Sequence, residues 1–481
     1  MLLEIVKNEW RNITADRTLW WVILILVVAI GYGVYNGTSW VAFLEESIEN
    51  AVLEEHERLS GHQALVASGE EPERGNRSPY DARYIGRRSG LRYAYLPPAP
   101  LASLSVGQSD LYASYFLVNT QSTQRQKRHS ELENPNHLLE SRFDLAFVTV
   151  YLFPLLILAL SYNLISSEKE QGTLAMVLSQ PVTLRKFVVG KVGFRAFIVS
   201  GLVIGLSFLA FLLNGVNLFG GRTSGQLLLW IGIVLAYSAF WFALALAVNA
   251  LGRSSSTNAI ILASLWLLFV ILVPSAVSLV VKALYPVPSR AEYIVATREA
   301  SVEARANEAQ VLSVFYEDHP ELLTEEEEEA LEEELEENFD TMQWAAEMKV
   351  EEAVQPVLDR FEEQLSNQQA QVNRLRFLSP AIVTQEALNE IAGTGVARYR
   401  HFMSGVEAFH EDWRGFFVPK IFGTNEMSPE DFDAIPVYTY VEEPGGRATG
   451  QVLMALVGMI IPALAVFGVG LAKLRNYPIT G

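Results

Sequence analysis

The chain has 481 residues, half of them hydrophobic, a formal net charge of −19 and no cysteine. The missing cysteine excludes disulfides and thiolate metal sites, and the acidic balance without a basic stripe argues against a nucleic-acid partner. Residues 285–448 hold 35 of the 55 acidic but only 12 of the 36 basic residues, so the remainder is mildly basic, as anionic lipid favours.

Residues 1–18 open the chain with Leu2, Ile5, Val6, Trp10 and Ile13 on one helical face and Lys7, Arg11 and Asn12 off it. The pattern predicts an amphipathic helix in the interface plane, the alternative being a polar start to the first span. The first span covers 19–35, with Trp20 and Trp21 at one end and Tyr32 and Tyr35 at the other, as an aromatic belt requires. No A-x-A-like site follows it, so it reads as an anchor rather than a cleaved signal.

Residues 36–142 form a first polar lobe. Trp40 to Leu59 continues as an acidic helix, Arg83 to Tyr95 is rich in Arg, Gly and Tyr, and Leu96-Pro97-Pro98-Ala99-Pro100 excludes helix. Further spans are read at 143–165, 187–213, 226–251 and 259–284. Pro154 and Pro274 lie inside spans and predict kinks. Gly201 and Gly205, four residues apart, would allow two helices to approach closely.

Residues 285–448 form a second polar lobe. Val354, Leu358, Phe361, Leu365, Val372 and Leu375 keep heptad spacing, broken by a Gln at 368, and predict a helical hairpin. The acid run Glu325 to Glu337, with Leu331 and Leu335 as its apolar stripe, reads as a solvated helix face. A sixth span at 449–472 leads into a short tail, 473–481. The expected fold class is therefore an α-helical polytopic membrane protein: six transmembrane helices and two large extracytoplasmic regions, the second mainly helical.

Lys and Arg near the span ends set the orientation. Lys7, Arg11, Arg17, Arg185, Lys186, Lys191, Arg253, Lys473 and Arg475 all fall on one side of a six-span chain. That side is read as cytoplasmic, with both termini on it.

No catalytic constellation stands out. His410-Glu411-Asp412-Trp413-Arg414 lacks the second His of a zinc-protease helix, and no G-x-S-x-G elbow appears. Gly190-Lys191 is no P-loop, because Arg185 stands where its first Gly belongs and Val192 where Ser or Thr does. The chain is thus read as non-enzymatic, with no catalytic residue and no cofactor or metal of its own. Between Phe147 and Ile165, and between Leu227 and Leu251, there is no ionisable Asp, Glu, Lys or Arg, unlike ion-coupled carriers. Arg195, about two turns into its span, reads as snorkelling to the interface.

Residues 166–186 then become the centre of interest. Gly172 permits a sharp turn after Glu168-Lys169-Glu170. Thr173 can cap a short helix whose Leu174, Val177 and Leu178 form an apolar face, and Pro181 stops it. Glu168, Glu170 and Arg185 would be offered to a partner. Spacing alone leaves an ordinary inter-span loop equally open.

The stretch Glu168-x-Glu170-x-Gly172-Thr173-Leu174-x-x-x-Leu178-Ser179-x-Pro181, followed by Arg185 and Gly190-Lys191, resembles the coupling-helix signature of ABC-2 type transporter permeases. Leu96 to Ala102, Val106 to Asp110, Phe377 to Ala381, Ala392 to Thr394, Phe409-His410 and Trp413 resemble the DUF3526 permease group. The resemblance implies a permease paired with a second copy or a sister chain. A separate ABC ATPase would bind ATP and Mg and dock on Glu168, Glu170, Gly172, Thr173, Leu174, Leu178, Ser179, Pro181 and Arg185. It implies the inner membrane, lipid contact and a periplasmic accessory protein as a further partner. The rival expectation is a receptor or assembly scaffold that binds partners through its external lobes without transport.

Overall fold

The computed structural model describes residues 7, 9–11, 17–68, 78–107, 109–121, 143–216, 218, 220–286, 290–306, 339–422, 426–443 and 446–478. Leu2, Ile5, Val6, Asn12, Ile13, Gln108 and the acid run Glu325–Glu337 lie outside the described residues.

A helix hides its own backbone polar groups, which is what lipid demands of a spanning segment. Among the described residues six helices are long and apolar enough to cross a membrane: Trp20–Ala67, Leu145–Glu170, Leu184–Leu213, Thr223–Asn249, Ser255–Leu284 and Gly446–Asn476. They follow in order the six spans expected from hydropathy.

The first helix, α1 (Arg17–Ser68), runs unbroken for 52 residues. No proline interrupts it, and Trp40, Ile48 and Ala51 beyond the span give it a second buried face. At the helical rise of 1.5 Å it is roughly 78 Å long, more than twice a hydrocarbon core of about 30 Å. Its far half therefore belongs to the lobe. Trp20, Trp21, Tyr32 and Tyr35 are all exposed, as belt residues should be.

The second span is entered through a helical turn, Leu145–Phe147, capped by Asp144, and a π-helical stretch, Val148–Leu152, before α2 (Phe153–Ser161). After it come α3 (Ser166–Glu170), α4 (Thr173–Leu178), α5 (Leu184–Leu213) and α6 (Gly221–Asn249). The fifth span is α7 (Ser255–Trp266), a π stretch (Leu267–Leu272) and α8 (Val273–Leu284). Both expected proline kinks thus take the form of a wider turn just before Pro154 and Pro274. Proline lacks the N–H that would bond an upstream carbonyl, and its ring crowds that carbonyl. Other helices supply the missing donors. Tyr237 donates its hydroxyl to Val150 O (2.9 Å), and Ser379 donates to Phe269 O (2.5 Å).

α6 is the bundle's central helix, with Trp230, Tyr237 and Trp241 fully buried. The last span, α14 (Gly446–Lys473), packs along it, and a Cβ on Gly470 would come within 3.3 Å of the Ala247 backbone. By contrast, no atom lies within 4 Å of a Cβ built on Gly201 or Gly205. Among the described residues, the close approach those glycines would allow is not made.

The two polar segments were expected as two lobes, but they share one hydrophobic core. Strands β1 (Arg92–Tyr95) and β2 (Tyr115–Val118) pair antiparallel, with Arg92 opposite Val118. A two-stranded ribbon cannot hold itself together in water. Its Ala94, Phe116 and Val118 pack against Phe402, Phe409, Trp413 and Phe417 of helix α12 (Val396–Phe422). Trp413 donates to Gly86 O (3.2 Å), and Arg414 joins Thr120 O (3.3 Å) to Glu351 (2.7 Å).

The expected hairpin forms between α9 (Arg290–Ala306) and α10 (Phe339–Leu375). The seam is not sealed by it: Val354 is buried, but Phe361 and Leu365 are 38% and 39% exposed. Gln368, the residue that breaks the heptad pattern, donates to Tyr285 O. Helix α11 (Pro380–Ala392) departs most from expectation. It belongs to the second polar segment in sequence, yet Val383, Ala387, Leu388 and Ile391 bury among the spans, against α6 and α14. A last short helix of the lobe, α13 (Pro429–Asp433), opens with a capping box at Ser428.

Candidate functional site

The segment 166–186 takes the helix–turn–helix form that its residues suggest. α3 ends at Glu170, and Gly172 turns the chain with φ +71°, a left-handed conformation that side chains resist. α4 follows for six residues. Its N-cap is Gly172 rather than Thr173, which is already the first helical residue. The Thr173 hydroxyl turns back instead, donating to Glu168 Oε2 (2.5 Å). Leu174 is 1% exposed, and Val177, Leu178 and Val182 pack beside it on the bundle core. Met176, on the other face, is 71% exposed. The helix stops at Leu178, where the Ser179 hydroxyl bonds back to Met176 O, and the chain stays non-helical through Pro181 to Thr183. Thr183 then caps α5, whose first turn carries the half-buried Arg185.

The two carboxylates expected to face a partner also bond to neighbouring helices of this chain, Glu168 half-buried and Glu170 exposed. Glu168 Oε1 accepts from Lys191 Nζ (3.2 Å). Glu170 accepts from both the backbone N–H (2.7 Å) and the hydroxyl (2.8 Å) of Ser255, the first residue of α7. The reason is local geometry: carboxylates two residues apart on one short helix flank opposite neighbours, one near α5 and one near α7. Lys169 between them reaches the ring of Tyr477 in the tail.

A buried polar cluster lies beneath α3. Asn249, at the end of α6, donates to Ser161 O (2.9 Å) and accepts from Ile165 N–H (3.4 Å). Ser166 and Ser255 share a bond of 2.8 Å, and Asn258 reaches both Ser166 and Asn249. Asn249 and Asn258 are completely buried. These residues were not singled out in the sequence, because single Asn and Ser residues at span ends carry no spacing signal.

Arg195 is paired within the chain and only 14% exposed. It bonds Glu9 (Nε to Oε1, 2.6 Å) and donates to Leu160 O. Glu9 was also missed, although a signal existed. Seven residues after Leu2, it falls on the apolar face of the N-terminal pattern, where an acid is out of place without a partner. Lys191 and Arg195, four apart on α5, ask for the same acid.

A second candidate is a shallow cleft where α1 meets the lobe. Trp40, Pro97, Ala99, Tyr112, Thr394 and Tyr399 line it, and Tyr112 stacks on Tyr399 at 4.2 Å. Arg398 ties its rim together through Glu442 (2.8 Å) and Pro97 O (2.8 Å). Sequence motifs nearly 300 residues apart, Leu96 to Ala102 and Ala392 to Thr394, are neighbours here. Among the described residues no group of three or more His, Asp or Glu is placed to hold a metal ion.

Residues 290–441 match the family model described as a domain of unknown function, DUF3526. The match covers about a third of the chain and takes in α9 to α13 with the Phe377–Ala381, Ala392–Thr394, Phe409-His410 and Trp413 motifs. The segment 166–186 and the Leu96–Ala102 motif lie outside it. No curated protein and no solved structure matches the chain.

Proposed function

We propose that this chain is the membrane-spanning permease subunit of an ABC-2 type transporter, which moves its substrate with ATP hydrolysed by a separate ATPase subunit. The observation that supports the reading is α4. It is a short amphipathic helix, fixed by Leu174 on the bundle core and by the Gly172 turn, with Met176 presented outward between two helices able to span a membrane. A partner that grips Met176, Gln171 and Gln180 pushes on a rigid object. Of the residues assigned to docking from sequence, Glu168 and Glu170 act as tethers, while Gly172, Thr173 and Leu174 shape the helix. Ser179 and Pro181 stay on the contact face, beside the half-buried Leu178 and Arg185. ATP and Mg belong to the partner. The segment lies on the cytoplasmic side of an inner membrane with both termini, the lobe lies outside, and two permease copies or sister chains pair.

Purification of the full chain from its native membrane tests this. A bound ATP-binding subunit is expected, with hydrolysis that depends on the chain and falls at least tenfold with Met176→Asp. A second reading, a receptor or scaffold without transport, draws on the aromatic cleft of the single shared lobe. Absence of any nucleotide-hydrolysing partner, with the lobe still retaining an external protein, would favour it.

A further inference from the structure

Four ionised side chains alternate in sign beneath the Gly172 turn. Glu168 of α3 meets Lys191 of α5 at 3.2 Å, Lys191 meets Glu9 of the N-terminal helical segment at 3.5 Å, and Glu9 meets Arg195 of α5 at 2.6 Å. The row extends at both ends. Thr173, the first residue of α4, donates to Glu168, and Arg195 donates to the carbonyl of Leu160 in α2. Four helical segments and the N-terminal one are joined through six residues.

Burial decides what such a row can do. Exposed ion pairs exchange freely with water and hold nothing in place. Here the side chains of Glu9 and Lys191 are 3% and 4% exposed, and those of Arg195 and Glu168 are 14% and 18% exposed. Charges so far from water persist only as a complete set, because removal of one leaves its neighbour buried and uncompensated. Glu9 is the member that serves two cations, and it alone comes from the N-terminal segment. Trp10 beside it is half exposed and meets Phe194 edge-on at 6.3 Å, so apolar packing adds a modest contact at the same joint.

We infer that Glu9 is a positioning residue that fixes the N-terminal helical segment and α5 to the Gly172 turn as one body. A displacement of α4 then carries the N-terminal segment with it. Glu170 and Ser255 form a separate tether to α7. The inference rests on the permease reading only for the source of the push, since the body itself needs no partner.

The absence of native cysteine makes the test direct. Spin labels are placed through Lys7→Cys and Gln180→Cys, both exposed and outside the charged row, in the full chain in lipid nanodiscs. A control pair at Glu363→Cys and Ser404→Cys reports the lobe. Pulsed dipolar spectroscopy is expected to give a narrow Lys7–Gln180 distance distribution. Glu9→Gln and Glu168→Gln are expected to widen it at least twofold with the lobe pair unchanged, and Glu9→Asp, which keeps the charge, to restore most of the narrowness. An unchanged width in both Gln variants overturns the inference, as does a Glu9→Asp distribution as wide as that of Glu9→Gln. A simultaneous change in the lobe pair also overturns it, by assigning the charges to folding at large. No ATPase is present in this experiment, so its outcome is separate from that of Met176→Asp.

Discussion

Ser379 donates its hydroxyl to Phe269 O at 2.5 Å, five residues before Pro274 in the fifth span. The same oxygen accepts from the backbone N–H groups of Ala381 and Ile382 and so caps α11. One side chain therefore starts the helix that the lobe inserts among the spans and satisfies the carbonyl that a proline leaves bare.

Ser379→Ala removes the cap and orphans a carbonyl at once. A cap is worth about 1 kcal/mol and a buried unpaired carbonyl about 1–3 kcal/mol, so a loss of roughly 2–4 kcal/mol is expected. Chemical denaturation in detergent measures it. Ser379→Thr, which keeps the hydroxyl, should recover most of the loss.

Tyr237→Phe tests the same principle at Pro154. The ring stays buried while Val150 O loses the hydroxyl that reaches it. A cost of about 1–3 kcal/mol is expected by the same assay.

Gly37 of α1 lies against the backbone of Ser103. A Cβ there would lie 2.0 Å from Ser103 O, a backbone atom that cannot swing aside. Gly37→Ala should destabilise by roughly 1–3 kcal/mol or more and lower the melting temperature. Gly31, where a Cβ would meet none of the described residues within 4 Å, should accept alanine with no such loss.

Gly172 separates conformation from crowding. Its φ is +71°, but a Cβ would meet no atom of the described residues within 4 Å. Gly172→Ala should therefore cost only about 1–2 kcal/mol for the left-handed turn. Gly172→Pro cannot adopt this φ at all and should displace α4, with loss of any partner-dependent ATP hydrolysis.

His410 gives the lobe a pH dependence. Burial, and then the neighbouring Arg414, push its pKa down to about 4 from 6.5. Its Nε2–H donates to Gln121 O at 2.7 Å, a bond that favours the charged ring, but burial outweighs it and the folded lobe holds His410 neutral. The unfolded chain takes up the proton first, and stability contributed by neutral His410 is complete above pH 6.5 and lost as pH falls towards 4. The span is on the order of 3 kcal/mol. Melting temperature against pH checks the sign, and His410→Gln should flatten the profile in that window.

The amino-acid sequence alone specifies the six apolar helices, because span length and hydrophobicity are local properties of the chain. It also determined the turn at Gly172 and the end of α4 before Pro181, where backbone sterics leave little choice. It could not say where Glu168 and Glu170 point, since inward and outward faces of a five-residue helix depend on what packs beside it. That α5 and α7 stand there to take them follows from packing between helices far apart in the chain. The joining of both polar segments into one lobe was likewise invisible, because Trp413 and Gly86 are more than 300 residues apart and neither sequence nor periodicity records a contact made across that distance. The insertion of α11 has the same cause. Its apolar face is legible in the sequence, but which surface covers that face depends on free energy summed over the whole packed molecule.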